Sequence, residues 1–168
     1  TTYAYTDDAR AALTQVVVDD GGLALTTTLT EFDAFGAPTV QVDPLGRVLT
    51  WETDPLTGAR TAELREVDVD GDGAAELLRT EMTYDGMGRL LTRTEDAGGP
   101  LERVTTFTYN AHGQVTSVDV TATATGEGAS TQSFYDARRR LTMEVDAGGA
   151  TTLYTYDSEG QLLSKVRG

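Results

Sequence analysis

A short turn pattern recurs along this chain and restricts it to β-hairpins: an aromatic residue, an aspartate or asparagine, then glycine about three residues on. Tyr84-Asp85-Gly86-Met87-Gly88-Arg89-Leu90, Tyr109-Asn110-Ala111-His112-Gly113-Gln114-Val115 and Tyr156-Asp157-Ser158-Glu159-Gly160-Gln161-Leu162 are the fullest copies. Phe32-Asp33-Ala34-Phe35-Gly36 carries Phe in place of Tyr, and Tyr135-Asp136 is followed by Arg139 where the other copies place glycine. Thr53-Asp54-Pro55-Leu56-Thr57-Gly58 holds one extra turn residue, and Tyr5-Thr6-Asp7 is the most worn copy. An Asp or Asn side chain opens such a turn by accepting hydrogen bonds from backbone N–H groups further along. Glycine then supplies the positive φ that a tight reversal requires.

Counted from the Asp-equivalent position, the seven copies fall at 6, 33, 54, 85, 110, 136 and 157, giving steps of 27, 21, 31, 25, 26 and 21. The step of 21 occurs twice and is read as the bare unit; longer steps carry insertions. A second turn lies midway in most units, as in Asp43-Pro44-Leu45-Gly46, Asp96-Ala97-Gly98-Gly99 and Asp146-Ala147-Gly148-Gly149. Between turns the residues alternate, with Pro38, Val40 and Val42 on one face and Thr39 and Gln41 on the other. Each unit is therefore strand, turn, strand, turn. One hairpin cannot bury its own face, but stacked hairpins share a sheet. The expected fold is all-β, an antiparallel sheet of stacked hairpins running through residues 1–168.

Tyr-Asp-x-x-Gly-Arg-Leu at intervals of about twenty residues, with Asp-Pro-Leu-Gly or Asp-Ala-Gly-Gly between, resembles the YD repeat. That family includes Rhs proteins, teneurin-type proteins and the shells of insecticidal toxin complexes. The chain is similar to a mid-repeat segment of such an array. The resemblance makes Phe32, Asp33, Gly36, Tyr84, Asp85, Gly88, Arg89, Tyr109, Gly113, Tyr135, Asp136, Tyr156, Asp157 and Gly160 the repeat-defining residues. It implies a spiral or shell wall, secreted or at the cell surface, that encloses or presents cargo such as a toxin. Its partners would be further YD repeats of the same parent chain and a protein cargo. Ala37-Pro38, Asp43-Pro44, Asp54-Pro55 and Gly99-Pro100 all sit in ordinary repeat turns, so the self-cleaving aspartyl residues of some Rhs proteins have no counterpart here.

The charge balance narrows the function further. With 13 Lys and Arg against 27 Asp and Glu, the net charge is −14, which argues against nucleic acid and against anionic membranes. No stretch approaches the roughly 20 apolar residues of a membrane-spanning helix. The absence of cysteine removes disulfides, thiol catalysis and zinc–thiolate sites together. His112 is the sole histidine and lies in a turn, so no Ser-His pair or histidine metal site is expected. Paired carboxylates such as Asp7-Asp8 also fall in turns, where Asp bonds locally, and the expectation is a scaffold and not an enzyme. Arg138-Arg139-Arg140, the one basic run, is expected to pair with acidic neighbours across the sheet. Trp51 takes the place of the first aromatic in a Tyr-x-Tyr pair and is expected to serve packing.

The longest step contains an acidic insertion at 68–76, Asp68-Val69-Asp70-Gly71-Asp72-Gly73-Ala74-Ala75-Glu76. Carboxylates at loop positions one, three, five and nine, with glycine at six, can wrap a hard cation, which points to calcium held by Asp68, Asp70, Asp72 and Glu76. Position twelve is Arg79, where an EF-hand needs a bidentate Glu, so the match is to a shorter loop type. A solvated acidic turn that merely lengthens a hairpin explains the same residues. A second functional class also stands beside the shell: an adhesive module that binds glycan or protein through the loops at 68–78 and 121–130.

Overall fold

The computed structural model describes residues 1–6, 12–20, 23–68 and 76–168. No described residue is helical, and the all-β expectation holds. The chain forms two compact units, Thr1–Met82 and Thr83–Gly168. In the first, β1 (Thr2–Tyr5), β2 (Leu13–Asp20), β3 (Leu23–Phe32), β4 (Pro38–Val42), β5 (Val48–Thr53), β6 (Arg60–Val67) and β7 (Glu76–Tyr84) follow in chain order, each antiparallel to the last. β7 carries the chain into the second unit. There β8 (Leu90–Glu95), β9 (Arg103–Tyr109), β10 (Val115–Ala122), β11 (Gly128–Tyr135), β12 (Leu141–Val145), β13 (Thr151–Tyr156) and β14 (Leu162–Arg167) repeat the same meander.

Within each unit a strand packs only against its sequence neighbours, so among the described residues no second layer covers either face. The consequence is an almost coreless sheet. Trp51, 7% exposed, and Ala62, 0% exposed, are the buried apolar residues found among those described. Stability must therefore come from ladder hydrogen bonds, cross-strand side-chain pairs and turns, and not from a central hydrophobic mass.

The turns share one geometry. At Asp85 the backbone N–H donates to the Arg89 carbonyl at 2.9 Å, and Gly88 N–H donates to the Asp85 carbonyl at 2.9 Å. Asp85 Oδ1 accepts from the N–H groups of Met87 and Arg89 at 2.8 and 3.0 Å. Gly88 closes the loop at φ 78°, the left-handed position of a three-residue hairpin turn. Asp33, Asn110, Asp136 and Asp157 repeat this, and the midway turns at Asp43 and Asp146 match it. Those midway turns differ from the repeat turns in the residue that precedes them. The one at Asp96 departs: Asp96 itself takes φ 51°, Gly98 and not Gly99 takes the positive φ of 78°, and Asp96 Oδ2 accepts from Leu101 N–H at 2.7 Å.

The imperfect copies keep the turn by substitution. Arg139 adopts φ 66° and still donates its N–H to the Asp136 carbonyl at 2.9 Å. In the worn first copy Thr6 Oγ1 accepts from Ala12 N–H at 2.9 Å, so a hydroxyl stands in for the carboxylate. The extra residue after Asp54 shifts the closing bond, and Gly58 donates back four residues to the Asp54 carbonyl. A one-residue slip of register recurs beside the turns, at Tyr5, Thr53, Tyr135 and Tyr156 and opposite Tyr109.

A Cβ built on Gly88 meets nothing within 4 Å, so any penalty there is conformational and not steric. Gly88→Val forces a β-branched residue into the left-handed region and should cost about 1–3 kcal/mol. Met87→Ala, at an 83% exposed turn tip, should be close to neutral. Arg139→Gly should stabilise the chain by about 1 kcal/mol, the scale of the penalty an L-residue bears at positive φ. Denaturant melts of the three variants check this, and the expected order is Arg139→Gly, Met87→Ala, Gly88→Val from most to least stable.

Candidate functional site

In the second unit the repeat-defining residues form a seam that ties one turn to the next copy. Asp85 Oδ2 accepts from Arg89 Nε at 2.6 Å, which fixes an arginine four residues beyond the carboxylate. The Arg89 guanidinium then lies over the ring of Tyr109, 4.7 Å from its centroid. Tyr109 in turn donates its hydroxyl to the Leu90 carbonyl at 2.7 Å. The Asp136–Arg140–Tyr156 set is the same: a 2.8 Å bond to Arg140 Nε, a 4.7 Å stack and a 2.8 Å bond from Tyr156 to the Leu141 carbonyl. Tyr135 reaches the Val115 carbonyl at 2.8 Å, and there Gln114 takes arginine's place, its Nε2 donating to the Arg139 carbonyl at 2.8 Å. The aspartate shapes its turn, holds the arginine, and through it seats the next tyrosine.

This corrects the expectation for the basic run. Arg140 pairs with Asp136 inside its own turn and reaches the Asp157 carbonyl at 3.2 Å. Arg138 donates to the Ser158 carbonyl at 2.9 Å, and Arg139 serves as a turn residue. The local partner wins because a carboxylate four residues back in a hairpin turn is already placed, with little side-chain entropy left to lose. The Asp-to-Arg spacing of four also occurs at Asp43/Arg47 and Asp85/Arg89, and was the available sequence signal. In the Asp33 copy that position is Ala37, and Asp33 Oδ2 is buried with no hydrogen-bond partner.

Other ion pairs do cross the sheet: Arg103 meets Glu95, its partner in register, at 3.3 Å, and Arg167 of β14 meets Asp146 at 2.7 Å. Arg79 on β7 forks onto Glu52 of β5 at 2.7 and 2.8 Å and also bonds Glu81 at 2.7 Å. Between them on β6 stands Ala62, the partner in register of both Glu52 and Glu81. A larger side chain there would obstruct the fork. Beside the aromatic faces, a second series of pairs escapes the sequence reading: Thr83 with Thr92 at 2.6 Å, Thr108 with Thr116 at 3.0 Å and Thr155 with Ser164 at 2.7 Å.

Electrostatics follow the same contacts. The Arg89 N–H and then its guanidinium hold the Asp85 carboxyl below the usual carboxylate range. The Arg140 N–H does the same for Asp136 against some desolvation, and the Arg79 guanidinium lowers Glu52. A depressed folded-state pKa contributes stability that is complete above the unfolded value, near ~4. It is lost as pH falls through the lowered folded value. Acid titration followed by circular dichroism should therefore show stability falling below about pH 4, with a shallower fall in Asp85→Asn, which lacks one of the titrating groups. Equal slopes would show that the turn carboxylate does not carry the linkage.

The remaining candidates are placed as follows. His112 sits in its turn with its N–H on Asn110 Oδ1 at 2.9 Å. Asp70 and Asp72 lie outside the described residues. Asp68 and Glu76 bracket them where the hairpin closes, since Val67 pairs in register with Glu76. Arg79 belongs to strand β7, not to the loop. The 121–130 segment is the end of β10, the start of β11 and the connection 123–127 between them, which is pinned by Thr123 N–H on the Glu102 carbonyl and Gly126 N–H on the Ala122 carbonyl. A shallow cavity of about 260 Å³ lies near Gln41, Leu49 and Arg65; its Arg47 is bound to Asp43 and its Arg65 to Glu63.

Comparison with known proteins agrees with this architecture. The double-stranded DNA deaminase toxin A of Burkholderia cenocepacia (strain H111) is 34% identical over 142 residues, 84% of this chain and 8% of that protein. Among solved structures, TcdB2-TccC3-Cdc42 superposes with a TM-score of 0.71 at 17% identity, over 99% of this chain and 9% of that one. A Tc holotoxin pore of Photorhabdus luminescens gives 0.68 at 18% identity, again over 99% of this chain and 9% of that one. The chain thus spans less than a tenth of the length of the relatives it matches. Those structural likenesses show the fold; with the teneurin YD-shell model matching residues 8–167, the chain belongs to the teneurin YD-shell family.

Proposed function

We propose that the chain is one stretch of the wall of a larger shell that encloses protein cargo, such as a toxin, in a secreted or cell-surface protein. The observation that carries this reading is the coreless, turn-stitched sheet. In the second unit neighbouring hairpins are tied by carboxylate–arginine–tyrosine seams at Asp85–Arg89–Tyr109 and Asp136–Arg140–Tyr156, and nothing covers either face among the described residues. Such a sheet extends by adding units and gains a dry interior by curving around something. The role is architectural and not catalytic; the deaminase activity in the relative's name belongs to a protein of which this chain matches 8%. The partners are further YD repeats and an enclosed polypeptide.

Expression of the longest reading frame containing the chain, followed by limited proteolysis, tests this. Sequence beyond the repeats should resist digestion until denaturant opens the sheet. Digestion at the rate of an unprotected control would remove the reading.

Calcium at Asp68, Asp70, Asp72 and Glu76 is part of the same proposal, as a clamp at the β6–β7 hairpin where the sheet's longest connection lies. Titration calorimetry with calcium chloride should give saturable heat that Asp70→Ala abolishes. Heat no greater than that of dilution in the parent chain would leave a solvated acidic turn.

A further inference from the structure

The two faces of strands β11–β14 differ in kind. One carries Glu144, Lys165 and Arg167 together with Tyr154, which donates to Glu144 Oε2 at 3.1 Å and lies under Lys165. The other carries no charged residue on any of the four strands, in a chain with 40 charged residues (13 basic, 27 acidic). Across its centre runs one rung in which Phe134 pairs with Met143, Met143 with Leu153 and Leu153 with Val166. Phe134 is 42%, Leu153 49% and Val166 58% exposed. Repeat geometry does not demand apolar residues there. The corresponding rung in the preceding copy reads Thr108, Ser117, Gln132, all polar, and the position of Phe134, directly before the repeat tyrosine, is Thr83, Thr108 and Thr155 in the other full copies.

We propose that this uncharged face of β11–β14 is a contact surface for an extended, apolar polypeptide segment of the enclosed cargo. This rests on the enclosure reading and adds where the cargo touches the wall. Four strands at ~4.8 Å spacing and three rungs along them give about 300 Å². That is too small for a stable pairing with a second copy, which needs about 800 Å² on each partner. Two chains of charge −14 would also repel each other. An extended segment needs no such area. It would lay apolar side chains along the Phe134–Val166 rung and find hydroxyl and amide partners in the flanking Gln132, Thr151, Thr155 and Ser164.

The test is fluorescence anisotropy of the chain with a labelled ten-residue peptide of alternating leucine and serine, beside an all-serine control. The leucine peptide should bind and the control should not. Leu153→Asp should weaken binding at least tenfold, while Leu163→Asp, 66% exposed on the opposite face, should change it less than twofold. Circular dichroism of both variants establishes that the sheet is intact. Equal losses from the two variants, or no binding by the leucine peptide, would overturn the proposal. So would a dimer in sedimentation that Leu153→Asp dissolves, which would give the face to a second copy. Proteolytic protection in the longest reading frame is read separately: protection without a Leu153→Asp effect leaves the enclosure standing and this surface wrong.

Discussion

Trp51→Ala should lower the stability of the chain by about 3–5 kcal/mol, the usual cost of truncating a buried aromatic side chain. A sheet with so little interior makes the loss local and complete. Trp51 is the one large side chain of the described residues below a tenth exposed, and no second layer can move in to refill the space. Its ring lies under the Arg60 guanidinium at 4.1 Å, and it faces Glu63 in register across β5 and β6. Truncation therefore removes apolar burial and the cation–π contact, itself worth about 0.5–2 kcal/mol. Trp51→Phe separates these contributions from the indole N–H. Trp51 Nε1 is buried without a hydrogen-bond partner, so phenylalanine loses no bond there and should cost less than about 1.5 kcal/mol. Arg60→Ala should fall between the two. Urea unfolding followed by far-ultraviolet circular dichroism checks the series, because the tryptophan signal itself disappears in two of the variants. Near-neutral Trp51→Ala would mean that the ring covers the sheet without supporting it.

Much of this architecture was legible in the residues themselves. Asp or Asn with glycine three residues later specifies a turn closely enough that the copies at Asp33, Asp43, Asp85, Asn110, Asp146 and Asp157 adopt it, and even Arg139 is pulled to positive φ by its surroundings; at Asp96 a longer connection overrides it. What the residue pattern did not show was partnership. Arg140 could equally have met an acidic residue on a neighbouring strand, because strand register at long range is not written in a turn motif. Only the register brings Arg79, two residues from Glu81 on the same face, within reach of Glu52 over Ala62, with Glu52 27 residues away in sequence. The uncharged rung was hidden for the same reason. Phe134, Met143, Leu153 and Val166 look unrelated in sequence and become one line when four strands are aligned. The repeat tyrosine was visible as a pattern, but its bond to the previous copy's carbonyl depends on how hairpins stack.

Tyr109→Ala should cost about 2–4 kcal/mol, less than a fully buried aromatic because the ring is only half-buried. Three contributions leave together: cross-strand packing beside Val115, the stack with Arg89, and the hydroxyl bond to the Leu90 carbonyl. Tyr109→Phe keeps the first two and should cost about 1 kcal/mol, the net worth of one hydrogen bond. The seam makes a sharper claim than either number, namely that Arg89 acts on Tyr109 and not independently of it. Arg89→Ala and Tyr109→Ala should then be less than additive, with a coupling of about 0.5–2 kcal/mol in a double-mutant cycle. Arg89→Ala paired with Tyr156→Ala, which belongs to the Arg140 copy, should be additive within about 0.5 kcal/mol. The opening should also be local. Hydrogen exchange of the β8–β10 amides should accelerate in Tyr109→Ala while β12–β14 stay protected, since each strand is held only by its neighbours. Additivity of Arg89→Ala with Tyr109→Ala would reduce the seam to separate surface contacts. The spacing of arginine four residues after the turn aspartate would then have to be explained by the turn alone.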